Sequence, residues 1–124
     1  MKNKYPSKRK RAHRWGVAAE YLSALWLLCK GYSILAMRHR NHMGEVDIIA
    51  ARGKMLAFVE VKARAGEAEA LESVTAQKRR RIARAAQSFI AANARYMQHD
   101  LRFDVMVVTS PWKISHLQNA WRVE

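Results

Sequence analysis

Apolar and polar positions change period along the chain, and each change marks an element. From position 15 to 30 the apolar residues follow helical spacing: Trp15, Ala18, Ala19, Leu22, Leu25, Trp26 and Cys29 fall on one face, and Gly31 supplies a stop. Val17, Ala24, Leu27 and Leu28 are apolar too, so this helix reads as buried nearly all round. Glu20 is its only acid and shares a side with the small residues Gly16 and Ser23. Strands are predicted over 32–39, 45–51 and 55–63. Arg52-Gly53-Lys54 between the last two is a hairpin signal with Gly at the turn. Residues 65–73, rich in Gly, Ala and Glu, read as a mobile loop. A second helix starts at Ser73 or Thr75, runs to about Asn93, and carries Ile82, Ala86, Phe89 and Ile90 as its core stripe. Residues 102–109 are strongly β-prone, Pro111 breaks that strand, and 113–122 form a weak last one. The order αβββαβ, with one further β, implies an α/β fold: a mixed central sheet flanked by helices.

Charge adds a partner class. Over 124 residues Lys and Arg number 23 and Asp and Glu 10, a balance of +13. Seven basic residues crowd the first fourteen positions, Arg9 and Arg11 among them, and the rest of the chain is basic as well. Residues 1–14 read as a flexible basic arm and 15–124 as a single domain. A field of this sign favours polyanions, with nucleic acid the leading partner. The single cysteine, Cys29, excludes an internal disulfide and a thiolate zinc framework; in its apolar run it reads as a buried structural thiol. No window has the apolar length of a membrane span, and Glu20 interrupts the one stretch that resembles a signal peptide. A cytoplasmic protein without a membrane partner is expected.

The hairpin carries the sharpest chemical inference. With Gly53-Lys54 as a two-residue turn, Arg52 faces Met55, Asp47 falls opposite Glu60, and Glu45 opposite Lys62. Alternation then puts these four on one face and Val46, Ile48, Val59 and Val61 on the other. Carboxylates directly opposed at about 4.5–5.5 Å between Cβ atoms need a shared proton or a cation between them. Hard oxygen ligands suit Mg²⁺ or Mn²⁺. Glu20, an acid in an apolar helix, also needs a polar partner, and one buried cluster would satisfy all three acids.

The run Gly44-Glu45-Val46-Asp47 followed by Phe58-Val59-Glu60-Val61-Lys62 resembles the PD-(D/E)xK nuclease superfamily. More narrowly it resembles the YraN family, which is similar to archaeal Holliday-junction resolvases. The resemblance spans about residues 15–110 and includes Gly16, Ala19-Glu20, Gly31-Tyr32 and Arg102-Phe103-Asp104-Val105; no Pro precedes Asp47. It implies a restriction-endonuclease-like αβββαβ core. It implies Asp47 and Glu60 as metal ligands, Lys62 as the catalytic lysine, and Glu20 as an additional acid near the metal. Gln77 and Lys78 match a helix that adds a polar residue to such sites.

The expected function is therefore metal-dependent hydrolysis of phosphodiester bonds in DNA, including branched or repair-intermediate DNA. Lys62 stabilises charge at phosphorus rather than acting as a base, because nearby carboxylates oppose the low pKa a base needs. Lys78, Arg79, Arg80, Arg81 and Arg84, with Gln77, are expected to contact phosphates, helped by Arg9 and Arg11. Trp112 and Trp121 are candidate stacking residues, with core or interface packing the plainer reading. A non-catalytic nucleic-acid-binding module and an RNA-directed factor are the competing classes. A homodimer is the assembly that resolvases suggest.

Overall fold

The computed structural model describes residues 7–122. Helix α1 (Lys8–Cys29) leads into β1 (Ser33–Arg40), β2 (Glu45–Arg52) and β3 (Met55–Lys62). A short α2 (Glu67–Ser73) and a long α3 (Ala76–Ala92) follow, then β4 (Asp100–Ser110) and β5 (Lys113–Trp121). The sheet order is β1-β2-β3-β4-β5, antiparallel throughout except for the parallel pair β3–β4. This is the mixed α/β architecture that the period changes implied, consistent with the restriction-endonuclease-like core that the resemblance implied.

Local chemistry sets the boundaries. Ser7 caps α1 by accepting the Lys10 N–H, and Gly31, at φ +89°, ends it. Lys8–Arg14, read from composition as half of a basic arm, are therefore helical and exposed, Arg9 and Arg11 included. The rest of that predicted arm, up to position 6, lies outside the described residues. Gly53 makes the β2–β3 turn at φ +58°. Residues 67–73, expected to be loop, form α2, whose Ala70 is fully buried. Thr75, not Ser73, caps α3 by accepting the Lys78 N–H.

Each face of the sheet has its own core. On one side α1 lays Ala24 and Leu27 on Ile48, Ala50, Ala57, Val59 and Met106. On the other, α2 and α3 cover Ile49, Leu56, Phe58, Phe103, Val105 and Val107. An aromatic row from Phe89 through Phe58 and Phe103 to Trp121, with centroids 5.6–6.4 Å apart, anchors this second layer. Burial of Phe58 alone contributes about 1.5–3 kcal/mol.

Two expectations for α1 fail. Its buried stripe is Ala19, Ser23, Ala24 and Leu27, whereas Tyr21, Leu25, Leu28 and Cys29 are exposed. The helix covers only one sheet face, so an apolar residue on its outer side has nothing to pack against. Among the described residues no helix is long and apolar enough to cross a membrane.

A polar network is sealed into the α1 side near the sheet's far edge. Asp104, fully buried, accepts hydrogen bonds from the Arg102 guanidinium and the Asn119 N–H, and its carboxylate lies 2.8 Å from His116 Nε2. Arg102 also bonds the Tyr32 hydroxyl. Burial works to raise the Asp104 carboxyl, but His116, Arg102 and the Asn119 N–H hold it below its usual value.

Candidate functional site

The strand ends assemble the site. β2 starts, and β3 and β4 finish, at the same end of the sheet, because β2 is antiparallel and β4 parallel to β3. The predicted register holds from Arg52↔Met55 to Ile48↔Val59. Beyond Ile48 the backbone pairing with β3 stops, while β2 continues beside β1 through Val46 and Glu45. Asp47 Oδ2 accepts the Val61 N–H at 2.8 Å, so a carboxylate satisfies a donor of β3 beyond the end of the ladder. The strict alternation expected here breaks at Asp47: Val46 packs into the α3-side core rather than joining Ile48. The break lies beside Arg38 of β1, a non-glycine residue at φ +51°.

Asp47 and Glu60 come together just past the end of the ladder, not as the directly paired positions expected. Glu60 is 1% exposed, and its Oε1 is buried with no hydrogen-bond partner. Its carboxyl is pushed up to about 9, first by burial and then by a hydrogen bond and charge repulsion from Asp47. Lys78 and Lys62, with ammonium nitrogens 3.4 and 3.9 Å from Glu60 Oε2, oppose that rise and are outweighed. A buried carboxyl pushed toward its neutral form beside a second carboxyl, with one oxygen left over, is an arrangement that a divalent cation would relieve. The donor set of hard oxygens fits Mg²⁺ or Mn²⁺.

Glu45 was expected opposite Lys62 and had no assigned role. It instead accepts from Lys78 Nζ at 2.7 Å, with Arg40 and Arg81 at 3.5 and 3.9 Å. The Lys78 bond holds the Glu45 carboxyl below its usual value. Burial favours a lower pKa for Lys78, but Glu45, Glu60 and Asp47 together raise it. Glu45 therefore positions a second lysine over the acid pair.

Glu20 does not reach that pair. It sits on α1, against the face of Ile48 and Val59, whereas Glu60 alternates with Phe58 toward α3. Its carboxylate takes the Arg38 guanidinium at 2.6 Å. The hydrogen bond to Glu20, then its charge, raise the Arg38 pKa, with a smaller contribution from Asp47, so Arg38 links the two acids electrostatically. Among the described residues no three acid, His or Cys side chains form a preassembled metal set.

The basic residues of α3 divide by helical angle. Gln77, Arg80, Arg81 and Arg84, spaced i, i+3, i+4 and i+7, line one side of an open cleft of about 410 Å³. His42, Met43 and Gly44 of the β1–β2 loop line the other. Lys78 is committed to the acids, and Arg79 bonds the Val74 carbonyl and lies over the Trp121 ring. Gly44 lets loop and helix meet: a Cβ there would stand 1.9 Å from the Arg81 carbonyl oxygen. Arg38 and the role of Glu45 were missed from sequence, and His42, beside the hairpin, reads there only as a weak signal for a site. The Gln77–Arg84 spacing was the available signal for the cleft, while the others depend on long-range geometry.

The model of the uncharacterised protein family UPF0102 matches residues 19–108. Full-length similarity accompanies it. A UPF0102 protein of Paramagnetospirillum magneticum is 46% identical over 118 residues, covering 91% of each chain. One from Mesorhizobium japonicum is 43% identical over 122 residues, covering 98% of this chain and 97% of the relative. One from Rhizobium etli is 42% identical over 113 residues, covering 91% and 93%.

Proposed function

We propose that this chain, which belongs to the UPF0102 family, is a metal-dependent endonuclease hydrolysing phosphodiester bonds in nucleic acid, DNA first. The observation that carries the reading is the buried Asp47–Glu60 pair with Glu60 Oε1 unpartnered. Asp47 and Glu60 would hold Mg²⁺ or Mn²⁺. When bound, such an ion supplies Lewis acidity at the scissile phosphate and lowers the pKa of attacking water.

The remaining work falls to charged side chains already in place. Lys62 is only 19% exposed, and its ammonium close to Glu60 can stabilise charge gathering on the phosphorus oxygens. Lys78, fixed by Glu45, offers a second cation to the same phosphate. Glu45, Glu60 and Asp47 raise the Lys78 pKa, which suits electrostatic stabilisation and not proton abstraction. The cleft formed by His42, Gln77, Arg80, Arg81 and Arg84 binds phosphates flanking the reacting one. Arg9 and Arg11, exposed on the first turns of α1, add salt-dependent affinity.

A binding module that does not cleave is the second reading. It draws on the Glu20–Arg38 pair, which leaves two acids rather than three at the centre. Incubation with duplex, single-stranded, flap and four-way-junction DNA, and with RNA, in Mg²⁺, Mn²⁺ or EDTA separates the two. Metal-dependent cuts that disappear in Asp47→Asn and Glu60→Gln support the nuclease; binding without cuts under every metal supports the module.

A further inference from the structure

Four tryptophans occur in the chain, and one is placed unlike the rest. Trp121 is buried and stacked on Phe103. Trp15 and Trp26 are partly buried on α1. Trp112 is 87% exposed at the tip of the β4–β5 turn, and it has no aromatic or cationic partner among the described residues. It lies beyond residues 19–108, the span that the family model matches. Single apolar side chains on a surface need no explanation. A tryptophan almost wholly in water, held on a short turn at the functional end of the sheet, invites one.

The turn is built to hold its position. Pro111 precedes the indole and fixes its own φ. Ser110 pairs with Lys113 to close the hairpin. Thr109 Oγ1 donates to the Arg64 carbonyl at 3.2 Å, tying the end of β4 to the segment that leaves Lys62. Register then sets the distance. Lys62 pairs with Val107, and β4 runs three residues further to Ser110. At about 3.3 Å per residue, the turn lies roughly 10–15 Å past Lys62. That is about three to four stacked nucleotides at 3.4 Å each.

Strand order places the acids in the middle. The basic cleft sits on the β1–β2 side, Asp47 and Glu60 on β2 and β3, and Trp112 on the β4–β5 side, all at one end of the sheet. A strand of nucleic acid with phosphates in the cleft would pass the acids and arrive at Trp112, where Arg64 and Lys113 supply positive charge to its backbone. Inside a duplex both faces of a base are covered by its neighbours. Away from the ends of a duplex, only an unpaired base can offer a face to the indole.

We propose that Trp112 is a stacking platform for an unpaired base, and that the preferred ligand is a nucleic acid with a single-stranded segment beside the bound duplex. This rests on nucleic acid being the partner, and it does not require cleavage. The test uses the full chain in EDTA, titrated with a blunt DNA duplex and with the same duplex carrying a short single-stranded tail. Tryptophan emission and affinity are followed for the wild type, Trp112→Phe and Trp112→Ala. The tailed DNA should quench wild-type emission more than the blunt one does, and that excess quenching should vanish in both variants. Trp112→Ala should bind the tailed DNA roughly 5- to 150-fold more weakly. Its affinity for the blunt duplex should not change, and Trp112→Phe should keep most of the wild-type affinity. Equal losses on both DNAs, or no loss on either, would overturn the platform and leave the nuclease reading standing. Stacking without metal-dependent cuts would retain the platform and remove the nuclease. Absence of DNA binding would remove both.

Discussion

Asp47 Oδ2 accepts the backbone N–H of Val61 at 2.8 Å. A side chain of β2 thus replaces a ladder partner of β3, which fixes one carboxylate beside Glu60 without help from a metal. The acid pair is consequently strained electrostatically, and most of the expected behaviour follows from that strain.

Glu60 should make the metal-free protein less stable as pH rises. Its folded pKa is about 9, above its ordinary value of 4.5. Below 4.5 the folded and unfolded states are both protonated and the strain is silent. Between 4.5 and 9 the unfolded chain releases a proton that the folded protein keeps, so stability declines across that window. Glu60→Gln removes the effect. Thermal melts in EDTA should show the variant equal to wild type near pH 4. At pH 8 it should be more stable by on the order of 1–3 kcal/mol, or about 3–6 °C per kcal/mol. Identical melting curves at both pH values would contradict the buried neutral acid.

Divalent metal should compete with that proton. Calorimetry of Mn²⁺ binding in buffers of different ionisation enthalpy should show close to one proton released below pH 9. Apparent affinity should rise about tenfold per pH unit between 6 and 8. Asp47→Asn keeps an oxygen for Val61 but should bind Mn²⁺ at least about tenfold more weakly. A pH-independent affinity would place the metal elsewhere.

Gly44 should be the least replaceable glycine. A methyl group there meets the Arg81 carbonyl at 1.9 Å, so Gly44→Ala must push α3 from the loop. A loss of about 1–3 kcal/mol is expected in urea unfolding. Gly16, in α1, has nothing within 4 Å of a built Cβ. Gly16→Ala should stabilise by about 0.5–1 kcal/mol. The reverse ranking would mean that loop and helix are not in contact.

Arg80 and Arg84 should act through phosphates alone. Neither is among the ion pairs at the acids, unlike Arg81. Replacing either by Ala should lower the slope of log affinity against log salt by about 1, with equal weakening on DNAs of unrelated sequence. An unchanged slope would remove the cleft from the interface.

How far the sequence was legible depended on how local each cause was. The hairpin register from Arg52↔Met55 to Ile48↔Val59 followed from Gly53 and alternation and pointed Asp47 toward Glu60, but the end of the ladder and the break in alternation at Asp47 did not. The mixed α/β order followed from the switches in apolar period. Glu20 was misjudged because helix periodicity does not say which sheet face α1 will cover; its partner Arg38 depends on a positive φ in an edge strand. Cys29 and Leu25 looked buried because apolar character was read as burial, although the fold offers α1 only one side to cover. The role of Glu45 needed the position of α3, which no short-range pattern encodes.

The central claim is that the Asp47–Glu60 pair is a metal centre that cuts nucleic acid. It is tested most directly by the cleavage rate of flap DNA in Mg²⁺ for wild type and Glu60→Gln, purified in parallel. Loss of at least about a hundredfold in the variant, with DNA binding in EDTA unchanged, is the predicted result. Equal rates in the two proteins would contradict it.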